Sequence, residues 1–289
     1  MESVGSIKVI VKNLRESLNN PRGVVLAFGL LSLVSFVSFT KQNYHKKLLA
    51  AVTSFAIAMH LIAGKYGWYH RYEIYIWAFS VFIFLYLISN IISDFLAGEE
   101  RKANLLKIIM LVGLGVLLTC FEYIRGLTTL PVASNNIYEQ QYQMHRFAVN
   151  YYGKPVAVND LGYVSYKNNN YVLGIRGLGS IDAFRYSRKE PSTEWMNKLA
   201  GSHGVELVMV YSNWFHNHPD TWIKIGDLRL GKPKITPAED TVAFYALNDQ
   251  AYSEALAKLG SFVETLPTGV EFVYEKIKRK KRWSTHELP

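Results

Sequence analysis

Four long apolar runs dominate the first half of the chain and constrain its fold more than any other feature. They lie at about residues 24–40, 48–64, 73–96 and 104–124. A helix needs roughly 20 mostly apolar residues to cross the hydrocarbon core of a bilayer, and all four runs reach or approach that length. Lys, Arg and Tyr residues flank the runs, as at a membrane surface. The sequence therefore predicts an integral membrane protein with an α-helical transmembrane bundle of about four spans over residues 23–125.

The segment before the first run is less apolar than the four runs and contains basic residues. Residues 1–22 contain no A-x-A-like cleavage site, so we expect no cleavable signal peptide. Apolar and basic residues alternate with helical periodicity over residues 4–18, and Pro21 is a natural place for one helix to stop and another to start. We predict that residues 1–22 form an amphipathic juxtamembrane segment.

The second half of the chain has the pattern of an α/β soluble domain, over residues 126–275. Residues 126–137 read as a linker containing Pro131, and residues 276–289 form a basic tail. Short apolar segments indicate strands, and longer amphipathic segments indicate helices that cover a mixed sheet. The predicted strands are Pro155–Asn159, Tyr171–Ile175, Val205–Tyr211, Thr241–Leu247 and Val270–Lys276, and the predicted helices are Tyr138–Tyr152, Thr193–His203 and Ala251–Leu259.

Charge and cysteine content narrow the classes of partner. The net charge of +9 and the apolar runs together favour anionic lipid, and no zinc-finger spacing or RNA-binding motif supports nucleic acid. Cys120 alone cannot build a disulfide framework or a cysteine-based zinc site. His216 and His218 with Asp220 invite a metal interpretation, but no third histidine supports it, and we interpret the segment as a loop. No metal and no cofactor are predicted from these residues.

Two segments resemble a known family. Residues 59–76 (MHLIAGKYGWYHRYEIYI) combine the end of a span, an aromatic loop and Arg-Tyr-Glu, and residues 156–181 (VAVNDLGYVSYKNNNYVLGIRGLGSI) combine two strands with Asn-Asp-Leu-Gly and Gly-Leu-Gly-Ser turns. Both resemble the C-terminal half of bacterial GT-C type membrane glycosyltransferases, and the resemblance extends from about Pro21 to Leu247. It implies sugar transfer from a polyprenyl-phosphate donor to a cell-envelope acceptor. It also implies the cytoplasmic membrane, an extracytoplasmic C-terminal domain and, through the family alone, a divalent metal.

The chain departs from that family at its first loop. The family has more spans, and a carboxylate in its first extracytoplasmic loop, whereas the first loop here, residues 41–47, has no carboxylate. The chain therefore reads as a fragment or shortened relative without the catalytic acidic loop, and a second chain could carry the missing N-terminal spans and the base. The alternative is a non-enzymatic, membrane-anchored binding or assembly protein.

The loop between the second and third runs carries the candidate donor site. Lys65, His70 and Arg71 could bind a lipid-linked phosphate, and nearby residues could contact sugar or lipid. These contact candidates are Tyr66, Trp68, Tyr69 and Glu73. An ordinary aromatic belt with cations at the membrane surface remains the alternative.

A second candidate site follows the first predicted strand of the soluble domain. Asn159 and Asp160 end that strand, and α/β sheets place ligand groups at the carboxyl ends of strands. A simple Asp-Leu-Gly turn is the alternative.

Overall fold

The computed structural model describes residues 2–39, 43–67, 71–97, 121 and 123–276. The chain divides into two compact units, Met1–Thr128 and Thr129–Pro289, and the division falls within residues 123–139, which are helical and are called α5. Four helices of the N-terminal unit precede α5 among the residues that the structure describes. They are α1 (Glu2–Leu18), α2 (Pro21–Phe39), α3 (Tyr44–Ala63) and α4 (Ile74–Ala97).

Local sequence explains the ends of these helices. Pro21 opens α2 at its first position, where the missing N–H removes no intrahelical bond. Asn43 caps α3, because its side-chain oxygen accepts a 2.9 Å hydrogen bond from the Lys46 backbone N–H. The amphipathic helix predicted for residues 4–18 is confirmed as α1.

Helices α2 and α3 are both long and apolar enough to cross a membrane, by length and composition. Helix α4 contains a shorter apolar stretch, Ile74–Asn90, among its described residues. The fourth predicted span, 104–124, lies outside the described residues except for 121, 123 and 124. The structure therefore supports two candidate membrane helices near the N-terminus, followed by an α/β domain.

The N-terminal unit exposes many large apolar side chains, although Leu33, Ile57 and Leu87 are buried in a core between the helices. Phe28, Phe55 and Phe82 are 66%, 68% and 72% exposed. Polar side chains are also buried between the helices, among them Lys46 and Glu73. This distribution is expected of helices whose surroundings are lipid, because a polar side chain finds its partners only inside the bundle.

The C-terminal unit contains one six-stranded sheet, and the sheet is mixed, as the sequence predicts. Its strand order is β2-β1-β3-β5-β4-β6. Strands β1, β2 and β3 are parallel, and β4, β5 and β6 join them through antiparallel pairs. The strands are β1 (Val156–Val158), β2 (Val172–Gly174), β3 (Leu207–Val210), β4 (Ile223–Arg229), β5 (Thr241–Ala246) and β6 (Glu271–Tyr274).

Helices cover both faces of this sheet. The side chains of β5 alternate, so that Phe244 packs into the core on one face and Tyr245 into the core on the other. The first core includes residues of α6 (Gln141–Arg146), of the π-helix Phe147–Tyr152 that continues it, of α7 (Gly162–Ser165) and of α10 (Asp249–Val263). The second includes residues of α8 (Ile181–Lys189) and α9 (Glu194–Ser202).

Two features of this unit correct the sequence interpretation. Residues 126–137, interpreted as a linker, are helical and belong to α5. Strand β4 was not predicted, because a register shift between Lys224 and Gly226 interrupts the alternation of apolar and polar residues along it. The other five strands are confirmed, with ends that differ by a few residues.

Candidate functional site

The strand order places a topological switch point at the carboxyl ends of β1 and β3, and we call this edge the crevice. These strands are neighbours and parallel, and β2 lies on the other side of β1. The connection from β1 to β2 contains α7, which packs on the first core, whereas the connection from β2 to β3 contains α8 and α9, which pack on the second. The two connections therefore lie on opposite faces of the sheet. In open α/β sheets such a switch point is the usual place for a ligand.

Asn159 is the buried residue that follows β1 at this edge. Its side chain is buried, and its Oδ1 accepts a 3.1 Å hydrogen bond from the Tyr211 backbone N–H. The Tyr211 hydroxyl in turn donates to Gln140 Oε1 at 2.8 Å. These bonds tie the loop after β1 to the loop after β3, so the structure assigns Asn159 a positioning role.

Asp160 is the next residue, and it is exposed at the same edge. Its negative charge contributes to a raised pKa of Tyr211, although burial of the phenol is the larger cause. Gly162 follows with φ +21°, and a side chain there would begin 3.3 Å from Asp160 Oδ1. The glycine thus leaves the carboxylate open to a ligand.

An exposed arginine and a half-buried tryptophan stand at the same edge. Arg176 follows β2, and its guanidinium carbon lies 5.1 Å from the centre of the Trp214 ring. The Trp214 ring also meets Tyr211 edge to face, with ring centres 5.2 Å apart. The crevice therefore offers an acid, a cation and an aromatic surface, which together suit a polar ligand with an apolar side.

The described residues of the predicted donor site, in the loop before α4, differ in exposure: the cations are exposed, whereas Tyr66 and Glu73 are half-buried and buried. Lys65 is exposed, and so is Arg71, whose guanidinium donates to the Tyr72 hydroxyl at 3.2 Å. Tyr66 is half-buried and meets His60 edge to face, with ring centres 5.1 Å apart. Trp68, Tyr69 and His70 lie outside the described residues.

Glu73 belongs to the interior rather than to the surface. Its side chain is completely buried, and the hypothesis that it contacts sugar or lipid stays a prediction. One carboxylate oxygen accepts a hydrogen bond from Arg22 Nη1, and the other accepts from the Gly67 backbone N–H at 3.1 Å. The acid therefore joins the start of α2 to the loop that precedes α4.

Of the two histidines after β3, His218 packs against aromatic rings, whereas His216 is exposed. The His218 and Trp222 rings stack with centres 5.4 Å apart and an 8° angle between their planes. Both rings and Tyr245 line a cavity of about 660 Å³, but Trp222 and Tyr245 are almost fully buried. Within the described part of the chain, no cluster of three or more His, Cys, Asp or Glu side chains could hold a metal ion.

Sequence reasoning found two of the crevice residues and missed three. Asn159 and Asp160 were predicted, whereas Arg176, Tyr211 and Trp214 were not. The rule that selected Asn159 also applies to the residues that follow β2 and β3. Its use there required knowing that these strands lie parallel on either side of β1, which the sequence does not state.

Comparisons with known proteins cover the same part of the chain. Residues 135–245 match the model of a family described as a domain of unknown function (DUF8728). The matched stretch contains all five crevice residues, the strands from β1 to β4, and β5 except its last residue, Ala246. No curated protein and no solved structure matches the chain.

Proposed function

We propose that this chain is a membrane-anchored part of a glycosyltransferase, and that the crevice between β1 and β3 binds its sugar-bearing acceptor. The observation that carries the proposal is the exposed Asp160 at the switch point, with Arg176 and Trp214 at the same edge. A carboxylate accepts hydrogen bonds from sugar hydroxyls, and an aromatic ring packs against the apolar face of a sugar. The resemblance to GT-C type enzymes supports the same class of reaction.

The donor in this proposal is a polyprenyl-phosphate sugar. Lys65, Arg71 and His70 hold its phosphate at the loop before α4, where cations at a membrane surface attract anionic headgroups. The base comes from a second chain that carries further spans. A divalent metal belongs to this proposal only because the GT-C resemblance implies one.

The membrane arrangement belongs to the same proposal. Helices α2, α3 and α4 and a fourth span at about 104–124 cross the cytoplasmic membrane, and the α/β domain lies outside the cytoplasm. The exposed apolar surface of the N-terminal unit supports membrane insertion.

Leu256→Cys in a Cys120→Ser background tests the orientation of the α/β domain. Labelling by an impermeant maleimide on intact cells is expected, and labelling only after lysis would contradict it.

Acceptor binding is tested with the full chain in nanodiscs. We expect Asp160→Asn to weaken binding of a short cell-envelope oligosaccharide about tenfold, which equals about 1.4 kcal/mol. Asp220→Asn is the matched control, because Asp220 is exposed in a loop outside the crevice. Equal affinities of the two variants would remove Asp160 from the site.

Donor binding needs a separate measurement. We expect Arg71→Ala to weaken binding of a polyprenyl-phosphate sugar, while binding of the soluble oligosaccharide stays unchanged. Arg125→Ala serves as a control for the loss of one exposed cation elsewhere in the same unit. Unchanged donor binding by Arg71→Ala would contradict the phosphate role.

A membrane-anchored binding or assembly protein is the second candidate, and Glu73 is the observation that favours it. Glu73 is the one carboxylate that the sequence places between Ala63 and Ile74, and it forms an ion pair with Arg22. The loop then has no acid available for proton transfer. Oligosaccharide binding without sugar transfer, even with a co-expressed chain that carries further spans and an acidic first loop, would favour this candidate.

A further inference from the structure

The outer face of α8 combines apolar and basic side chains in an unusual way for a soluble domain. Ile181, Phe184, Arg185 and Arg188 follow the spacing i, i+3, i+4 and i+7, so they share one face of the helix. Ala183 lies on the opposite face and is buried in the second core. Helix α8 is therefore docked on the sheet by one side and presents the other outward.

The apolar part of this face is large. Leu178, Ile181 and Phe184 are 75%, 60% and 40% exposed. Leu178 lies in the turn before α8, and this turn packs closely on the helix, since a Cβ on Gly177 would lie 2.8 Å from the Phe184 Cα. These residues with Arg185 and Arg188 form one surface, which we call the α8 patch.

Further exposed apolar side chains lie in the same stretch of the chain as α8. In the described part of the C-terminal unit, the large ones lie between residues 130 and 184, with three exceptions. The exceptions are Leu256, Val273 and Tyr274. Tyr163 of α7 and Tyr166 after it are among the exposed group, and the Lys167 ammonium lies 5.4 Å from the Tyr166 ring centre. Aromatic rings beside cations are typical of surfaces at the lipid headgroup level.

The charges of α8 indicate which surface it fits. The helix carries one acid, Asp182, and three cations, Arg185, Arg188 and Lys189. The Arg188 guanidinium lies 4.1 Å from the centre of the Phe184 ring, so charge and apolar surface adjoin within one turn. Arg185 has a counter-charge within the helix, since its Nη1 lies 3.9 Å from Asp182 Oδ1. An apolar partner protein would offer none to Arg188 and Lys189, whereas an anionic bilayer surface offers phosphates above an apolar layer.

We propose that the α8 patch docks the α/β domain on an anionic lipid surface. Leu178, Ile181 and Phe184 enter the boundary between headgroups and acyl chains, while Arg185 and Arg188 contact lipid phosphates. The inference does not depend on the proposed transferase role. It places the carboxyl ends of β1 and β2, where Asp160 and Arg176 lie, at the level of the headgroups.

Site-directed fluorescence on the full chain tests the docking. In a Cys120→Ser background, Phe184→Cys and Leu256→Cys each carry one environment-sensitive fluorophore. Leu256 is the matched control, because α10 covers the opposite face of the sheet. The proteins are placed in nanodiscs of phosphatidylcholine alone, or of an equal mixture with phosphatidylglycerol. Quenching by nitroxide-labelled lipid is then compared with quenching by iodide in the water.

The expected result is lipid quenching that is severalfold stronger at residue 184 than at residue 256 in the mixed nanodiscs. Replacement of both Arg185 and Arg188 by Glu should reduce that quenching to near the control level. Iodide quenching at residue 184 without lipid quenching would overturn docking, because the patch would face water. Protection from both quenchers would overturn it in favour of a protein partner. Equal lipid quenching in the two compositions would overturn the assignment to an anionic surface.

Discussion

Phe28, Phe55 and Phe82 lie on the outer surface of the N-terminal unit, whereas Phe147, Phe244 and Phe262 are completely buried in the C-terminal unit. The same side chain thus faces opposite ways in the two halves of one chain. Burial of a phenyl ring is favourable where the alternative is water, so the buried rings stabilise the C-terminal unit. In the N-terminal unit, Phe28 and Phe55 lie on the two candidate membrane helices, α2 and α3.

Each unit also buries a carboxylate, and the two carboxylates are neutralised differently. Glu73 accepts hydrogen bonds from the Arg22 guanidinium and from the Gly67 backbone. Glu139 in α5 accepts them from the backbone N–H groups of Gly231 and Lys232, at 3.0 and 3.2 Å. In the N-terminal unit an opposite charge stabilises the buried carboxylate. In the C-terminal unit the backbone N–H groups of the segment between β4 and β5 stabilise it.

The largest expected effect comes from breaking the buried pair of the N-terminal unit. Arg22→Ala leaves Glu73 buried without its guanidinium, and we expect the free energy of unfolding to fall by about 3–5 kcal/mol. Detergent-induced unfolding of the purified full chain, followed by circular dichroism, measures the change. The double variant Arg22→Met with Glu73→Met should recover most of the loss, because neither charge remains buried.

The exposed pair of α1 is the control for this prediction. Lys12 Nζ lies 3.8 Å from Glu16 Oε1, and both side chains are mostly exposed. We expect Lys12→Ala to change the free energy of unfolding by less than about 0.5 kcal/mol. A loss of similar size for Lys12→Ala and Arg22→Ala would show that the burial of Glu73 does not set the cost.

Breaking the buried carboxylate of the C-terminal unit should have a smaller effect. Glu139→Ala leaves the N–H groups of Gly231 and Lys232 without their acceptor, and we expect a loss of about 2–3 kcal/mol. Amide hydrogen exchange should accelerate at these two residues. Glu264→Ala, an exposed acid after α10, should leave both measurements unchanged. Unchanged exchange in Glu139→Ala would contradict the capping role.

The regular parts of the fold could be predicted from the sequence, because local patterns determine them. The apolar runs predicted α2, α3 and α4, and five short apolar segments predicted five of the six strands. Strand β4 could not be found, because its register shift disrupts the alternation that marks a strand. Residues 126–137 were interpreted as a linker because of Pro131, yet the buried Asn136 holds that helix in place by accepting from the Ile235 backbone N–H at 2.8 Å.

The candidate sites were predictable only in part, because they depend on contacts between distant residues. Asn159 and Asp160 carried a local signal, the end of an apolar strand. The partner of Asn159 lies 52 residues later, at Tyr211, and no local pattern joins them. Glu73 was proposed as a sugar or lipid contact, and no local pattern indicated its pairing with Arg22, which lies 51 residues earlier.

The smallest effect separates two buried tyrosines of the C-terminal unit. The Tyr211 hydroxyl donates to Gln140, whereas the buried Tyr152 hydroxyl has no hydrogen-bond partner among the described residues. We expect Tyr211→Phe to lower the free energy of unfolding by about 1 kcal/mol, because Gln140 loses its donor. Tyr152→Phe should be neutral or slightly stabilising at neutral pH. Chemical denaturation of the full chain, followed by fluorescence, measures both.

The pH dependence of stability sharpens this contrast. Burial raises the pKa of Tyr152, with smaller contributions from Glu206 and Glu254, so the folded state holds the phenol proton more tightly than the unfolded state. The stability from this difference is complete below the usual tyrosine pKa of about 10 and is lost as the pH rises above it. Tyr152→Phe should therefore reduce the loss of stability in alkali. An alkaline loss as large as in the unmodified chain would show that other groups cause it.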